Sequence, residues 1–283
     1  MREVAIIGAG ELGGAVAHAL ARRDIARSIV IVDGTGHVAA GKALDIAQAA
    51  PVEGFSTRLT GIADTSAASG ADVIVIADRA RGGEWQGDDA VQMLRPLSGS
   101  SQSSAAPVIV CAGASHRDLV DRAVRDLRIA RTRVFGSATD ALTAAARALV
   151  ALEGNTSARD VSLAVVGIPP QQCVILWEDA TIAGLAATRV LSEPVRRRLE
   201  NRIAALWPPG PYALAAAAVG AIAALSGQSR QITCCFVAPD TTAGARTRTG
   251  ALPVRLGAAG VVEVVLPELS VVERVALENA MML

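Results

Sequence analysis

The chain has 283 residues, enough for one large domain or two smaller ones with a sizeable core, and its 27 basic and 27 acidic side chains cancel to a formal net charge of zero. Hydrophobic residues make up 51% and aromatics 2%, so the core must be mostly Ala, Val, Leu and Ile, and no basic stripe argues for nucleic acid or an anionic membrane surface. The longest apolar stretch, Ala213 to Leu225, is too short to span a bilayer, and the four cysteines show neither metal spacing nor a disulfide framework. With no basic n-region or cleavage site at the N-terminus, the expectation is a cytoplasmic protein.

In chain order, Val4-Ala5-Ile6-Ile7 reads as a buried strand that stops at Gly8-Ala9-Gly10-Glu11-Leu12-Gly13, with a helix to follow through Leu20. Ser28 to Val32 reads as a second strand with Asp33 at its end. A GxGxxG turn between strand and helix, with an acid twenty residues beyond the last glycine, is the dinucleotide fingerprint in its proper context. Gly8 allows the tight turn, Gly10 lets backbone N–H groups near a pyrophosphate, and Gly13 lets the helix pack on the strand. Gly8, Gly10, Glu11, Leu12, Gly13 and Asp33 form the expected cofactor-binding set. Asp33 suits a ribose hydroxyl and repels a 2′-phosphate, which favours NAD over NADP.

Residues 35–50 read as a second helix ended by Pro51, Thr57 to Thr60 as a short strand, and Asp72 to Ala77 as a clear buried strand. Arg79 to Gly87, with three glycines, three charges and Trp85, reads as a mobile loop. Asp88-Asp89 suits the positive end of the next helix. Pro107 to Cys111 is a strand, Ser115 is the expected cap of a helix beginning near His116, and Arg133 to Phe135 is a sixth strand. This alternation predicts an α/β Rossmann fold, a doubly wound parallel sheet with its site at the strands' carboxyl ends, over residues 1–137. Residues 138–283 read as a mixed α+β domain of substrate type. Its expected helices are 139–152, 193–206, 212–225 and 270–281, and its expected strands 160–166, 231–237, 249–256 and 261–265.

Gly41-Lys42-Ala43-Leu44-Asp45-Ile46, Ala50-Pro51-Val52-Glu53-Gly54-Phe55 and Arg58-Leu59-Thr60-Gly61, with Gly250 to Val254 and Leu256 to Val261 near the other end, resemble the lactate/malate dehydrogenase family in order and spacing. The first three blocks look like the bacterial malate dehydrogenase pattern. The resemblance implies NAD, a small-molecule substrate and a homo-oligomer, dimer or tetramer. It also implies a histidine base, an aspartate that orients it, two arginines and an asparagine. At the matching positions stand Pro169 for the histidine, Leu142 for the aspartate, Ala145 for the clamping arginine, Gly87 for the second lid arginine and Ala112 for the asparagine. Arg81 matches the first lid arginine, and Arg147, about 200° round a helix from Ala145, cannot stand in for it. The family's small turn after the fourth strand is Ala77-Asp78-Arg79 here, whose bulk crowds the cofactor.

Of the three histidines, only His116 lies near the expected nicotinamide end; it is weighed as a replacement base against a surface residue of a helix's first turn. Glu84, Asp88 and Asp89 read as solvated lid charges, Glu178-Asp179 as a carboxylate pair without a histidine for metal, and Arg196-Arg197-Arg198 as a solvated helix face. Trp85 is the aromatic best placed for a binding role. Three readings follow: a degenerate NAD(H)-binding member of the family, an oxidoreductase with a rearranged site and another substrate, and a non-enzymatic regulatory or structural protein.

Overall fold

The computed structural model describes residues 1–98, 106–240 and 248–282. The first half runs β1 (Glu3–Ile7), α1 (Glu11–Ala21), β2 (Ser28–Val32), α2 (Gly36–Glu53), β3 (Arg58–Ile62), β4 (Val73–Ile76), β5 (Asp78–Arg79), β6 (Gly83–Glu84), α3 (Gly87–Ser98), β7 (Val108–Cys111), α4 (Arg117–Arg125) and β8 (Val134–Gly136). The second begins with α5 (Ala138–Glu153), β9 (Val161–Ser162), β10 (Val165–Ile168), β11 (Gln172–Ile175), β12 (Thr181–Ile182) and β13 (Leu185–Ala186). It ends with α6 (Ala187–Val190), α7 (Glu193–Ala204), α8 (Pro211–Leu225), β14 (Thr233–Val237), β15 (Gly250–Gly257), β16 (Gly260–Val264) and α9 (Val271–Met282).

Strands β3, β2, β1, β4, β7 and β8 lie side by side in that order, and all five pairings are parallel. This is the doubly wound order, with its crossover reversing between β1 and β4, and a sheet of this order receives its ligand at the carboxyl ends of those strands. The sheet does not stop at β8. Strand β14 joins it antiparallel at Phe236 opposite Gly136, and β15, β10 and β11 extend it, again antiparallel. The result is a sheet of eleven strands with β16 on the side of β15.

Alternation along the strands divides the core. Val4 and Ile6 of β1 pack into one layer with α1 and α8, whereas Ala5 and Ile7 pack into the other with α3 and α4. A third cluster in the second half gathers Leu142, Val150, Val165, Ile175, Trp177 and Ile203. Helix α8 is apolar nearly all round and lies between α1 and α5; a helix of that kind belongs in the interior. No helix among the described residues is long and apolar enough to cross a membrane.

Three expectations need correction. Pro51 does not end α2; the helix runs two residues further, and Gly54, at φ 78°, closes it by donating its N–H to the Ala50 carbonyl. The strand expected over 160–166 is two strands, because β9 pairs with β12 in a small separate sheet while β10 enters the large one. The loop expected over 79–87 contains the β5–β6 hairpin, in which Asp78 faces Glu84 and Arg79 faces Gly83.

Candidate functional site

The glycine turn lies where β1 ends and α1 begins, and its glycines are used for close approach. Gly8 stands at φ +119°, and a Cβ there would meet the Asp78 carbonyl oxygen at 2.2 Å. A Cβ on Gly13 would fall 2.1 Å from the Gly8 carbonyl oxygen, which is the tight helix–strand packing the fingerprint requires. Of the two residues between, Glu11 is exposed and Leu12 is buried in the core, so Leu12 offers a ligand only its backbone.

Asp33 ends β2 beside this turn and is 6% exposed. Its carboxylate accepts from the backbone N–H groups of Ala9 (2.9 Å), Ala80 (2.8 Å) and Thr35 (2.8 Å). Burial alone would raise the Asp33 carboxyl, but the amides of Ala80, Ala9 and Thr35, with the Thr35 side chain, outweigh it and hold it below its ordinary value. The acid therefore sits where the fingerprint needs it and already carries three donors.

Asp78 follows β4 and reaches across to the turn. Its carbonyl accepts from Gly10 N–H at 2.9 Å and its carboxylate from Gly13 N–H at 2.9 Å. A Cβ on Gly10 would lie 2.2 Å from the Asp78 carboxyl carbon. The N-terminal end of α1, an anion seat by virtue of its unpaired N–H groups and dipole, thus holds an internal carboxylate.

The other strand of the hairpin does the same at β7's carboxyl end. Glu84 accepts from Ala114 N–H (2.9 Å), from Ser115 N–H (2.8 Å) and from the Ser115 hydroxyl. Between them, Arg79 stacks 4.8 Å over the Trp85 ring and donates to the Gly82 carbonyl at 2.9 Å, and Trp85 packs on the core. Arg81 is exposed on the short connection between the two strands.

His116 corrects two expectations. It is fully buried, not a surface residue of a first turn, and Ser115 is not the cap, because its hydroxyl is turned to Glu84. Gly113 N–H donates to His116 Nδ1 at 3.0 Å, so the ring proton is on Nε2, which has no partner. Burial pushes the imidazole down to about 4, against the pull of the Glu84 and Asp78 carboxylates, so it is neutral at pH 7. Burial would raise Glu84; the Ser115 hydroxyl outweighs it first, with help from His116's charge when present and from the Ser115 and Ala114 amides, and leaves the carboxyl below its ordinary value.

The five positions that depart from the family pattern are dispersed through the fold. Ala112 follows β7 and is fully buried, and Leu142 on α5 is fully buried in the apolar cluster of the second half. Ala145 is half-buried, Pro169 is buried just beyond β10, and Gly87 opens α3 in the exposed left-handed region at φ +57°. Arg147 shares a small cavity with Asp140 and Thr143, two turns along one face of α5. Arg197 and Arg198 pair with Glu193 and Glu153, as a solvated helix face should. No cluster of three or more histidine, cysteine, aspartate or glutamate side chains that could hold a metal occurs among the described residues.

A glycine turn at β1–α1, an acid at the end of β2 and a strand order that reverses between β1 and β4 define a dinucleotide-binding α/β protein of the Rossmann type. Residues 2–84 match the family model described as lactate/malate dehydrogenase, NAD binding domain. The malate dehydrogenase of Thermomicrobium roseum is 30% identical over 99% of this chain and 94% of its own length. The solved malate dehydrogenase of Salinibacter ruber superposes with a TM-score of 0.81 at 27% identity, covering 98% of this chain and 93% of that one. A lactate dehydrogenase of Cryptosporidium parvum, solved with lactic acid and nicotinamide adenine dinucleotide, shares the fold at 20% identity, with a TM-score of 0.85 over 99% of this chain and 94% of that one. The chain belongs to the lactate/malate dehydrogenase family and carries that family's NAD-binding domain.

Proposed function

We propose that the protein is an NAD(H)-binding member of this family that has lost the site for hydride transfer to and from simple 2-hydroxy acids. The observation that carries the reading is Leu142. At the position of the aspartate that orients the catalytic histidine stands a side chain wholly enclosed by apolar neighbours, and Pro169, at the position of the histidine itself, can neither take nor give a proton. His18 is held by Glu53 at 2.9 Å, and His116 is sealed from solvent. A positioned base contributes about 10²–10⁴-fold, so ordinary turnover falls by on the order of 10⁴ with the base, its orienter and the anion clamp gone together.

The glycine turn, the α1 N-terminus and Asp33 fit a dinucleotide. The turn's glycines allow close approach, the helix end is an anion seat that Asp78 fills in this structure, and Asp33 excludes a 2′-phosphate. Residues 1–137 bind the cofactor in this reading, and residues 138–283 form the former substrate side. Reduction of oxaloacetate and pyruvate by NADH is the test. No detectable turnover is expected, and a rate near the enzyme median of about 10 s⁻¹ would refute the loss. Calorimetric titration with NADH and NADPH tests the cofactor, with NADH expected to bind the more tightly.

A second reading, an oxidoreductase with another substrate and His116 as its proton donor, is favoured by one observation: the unpaired Nε2–H of that ring. Activity on any 2-hydroxy or 2-oxo acid that disappears in His116→Gln would select it. We also propose a cytoplasmic homo-oligomer. Four free thiols suit a reducing compartment, and Leu44 and Val52 on α2 and Leu152 on α5 are 60%, 90% and 77% exposed.

A further inference from the structure

Two acidic side chains of one short hairpin are spent on the crevice that the fold reserves for its ligand. Asp78 holds the amide of Gly13 at the head of α1, and Glu84, six residues on, holds the amides of Ala114 and Ser115 and the Ser115 hydroxyl at the head of α4. A third tie runs from Ala80 N–H to Asp33. These amides lie on the two sides of the strand reversal, at the carboxyl ends of β1 and β7, where a doubly wound sheet receives its ligand. A carboxylate at Gly13 N–H also places a negative charge where a pyrophosphate needs to come.

Beneath Glu84 lies an independent sign that this arrangement is a cover. The point where a Gly113 Cβ would stand is 2.6 Å from the Glu84 carboxyl carbon and 2.7 Å from His116 Cε1. The imidazole is therefore packed directly under the carboxylate, fully buried, with a ring N–H that nothing accepts. A buried donor without a partner costs free energy and is relieved once the cover lifts and an acceptor enters. Glycines flank the hairpin's second strand at backbone angles that other residues rarely adopt: Gly82 and Gly83 stand at φ +104° and +71°, and Gly87, the first residue of α3, at +57°.

We infer that the β5–β6 hairpin is an internal competitor of the dinucleotide: Asp78 and Glu84 hold the crevice shut, and NAD(H) binds only the form in which both carboxylates have let go. This deepens the cofactor reading above and rests on it. The closed form lowers the apparent affinity by the fraction of molecules that are open. Removing either carboxylate raises that fraction and also removes a negative charge from the path of the phosphates. Opening uncovers His116 Nε2–H at the same time.

The test is calorimetric titration of NADH into wild type, Asp78→Ala, Glu84→Ala and the double variant, with thermal unfolding of each to establish that it folds. Glu84→Gln and Asp78→Asn stand in for any alanine variant that does not. The expected result is binding tightened by about tenfold or more in each folded single variant, the scale set by losing one charge-assisted contact. Amide exchange at Ala114 and Ser115 should quicken in Glu84→Ala. Equal or weaker NADH binding by folded variants of a wild type that does bind overturns the competitor and leaves the cofactor reading standing. Absence of NADH binding by all of the proteins, the double variant included, overturns both.

Discussion

Replacing Asp33 separates what this carboxylate does for the fold from what it does for a ligand. In Asp33→Ala, the amides of Ala9, Ala80 and Thr35 lose their acceptor together. A hydrogen bond to a charged group contributes about 1.5–3 kcal/mol, and an unsatisfied buried donor costs a similar amount. Ala9 is fully buried, so its N–H finds no water, whereas Ala80 and Thr35 are half-buried and recover part of their loss from solvent. The expected cost is about 3–4 kcal/mol for alanine. Asparagine is different. One carboxylate oxygen serves Ala9 and Ala80 while the other serves only Thr35. An amide oxygen in the first place keeps two of the three bonds, at a cost of about 1–2 kcal/mol. Urea unfolding followed by tryptophan fluorescence measures both, and the three proteins should rank wild type, Asn, Ala. The pH dependence has a sign. The folded carboxyl lies below its ordinary value, so its stabilisation is fully present above the unfolded value of about 3.9 and is lost as pH falls through the folded one. The gap between wild type and Asp33→Asn should therefore hold at every pH above about 4 and close below it. An alanine variant less than about 1 kcal/mol weaker than wild type, or an asparagine variant no better than alanine, would refute the three-amide account.

Leu142→Asp, the substitution that restores the family's acid, should cost several kcal/mol, because it buries a carboxylate in an apolar cluster without a partner; differential scanning calorimetry reads this, and an unchanged melting temperature would show that the site is wet. Pro169→His alone should leave oxaloacetate reduction undetectable, since Leu142 and Ala145 remain; a coupled NADH absorbance assay decides. Gly8→Ala should fail to fold or lose at least about 3 kcal/mol, because its Cβ would meet the Asp78 carbonyl at 2.2 Å and its φ is +119°; expression and calorimetry show it. Burial raises the thiols of Cys111 to about 12 and of Cys173 to about 11. Ellman's reagent at pH 8 should therefore label the native protein far more slowly than the four cysteines of the unfolded chain.

The strand, turn and helix of residues 3–21, and Asp33 after them, were legible because their signals are local: an apolar β-branched run, glycines at fixed offsets and an acid at a fixed distance. The resemblance blocks at both ends placed the family. What the sequence did not show is what the acids of the turn after β4 touch. Asp78 meets Gly13 across 65 residues and Glu84 meets Ser115 across 31, so nothing in the spacing of 79–87 distinguishes a docked hairpin from a solvated loop. The signal in the sequence is the charged pair Asp78-Arg79 where the family keeps small residues; alone it implies crowding, and the contact with Gly13 emerges only in the fold. His116 was misplaced for the same reason, because its burial depends on what stands over it. Strand β11 gives little signal in the sequence because Gln171 and Gln172 lead into it, and the Pro169-Pro170-Gln171 turn that folds it back on β10 as a hairpin reads as a break in the chain.

The unbroken passage of the sheet from β8 to β14 has a consequence for anyone who would divide the molecule. Cutting after Ser137 strips β8 of its neighbour. Its N–H and C=O row, Phe135 and the Gly136 surface on which Phe236 rests would then face water, and a bare apolar strand edge recruits other chains. The same cut takes α8 off α1 and leaves an open flank on the glycine-turn helix itself. The isolated amino-terminal piece is thus expected to aggregate instead of binding nucleotide. For the same reason, intragenic recombination with a relative should succeed where the crossover keeps β8, β14 and α8 from one parent, and fail where it separates them.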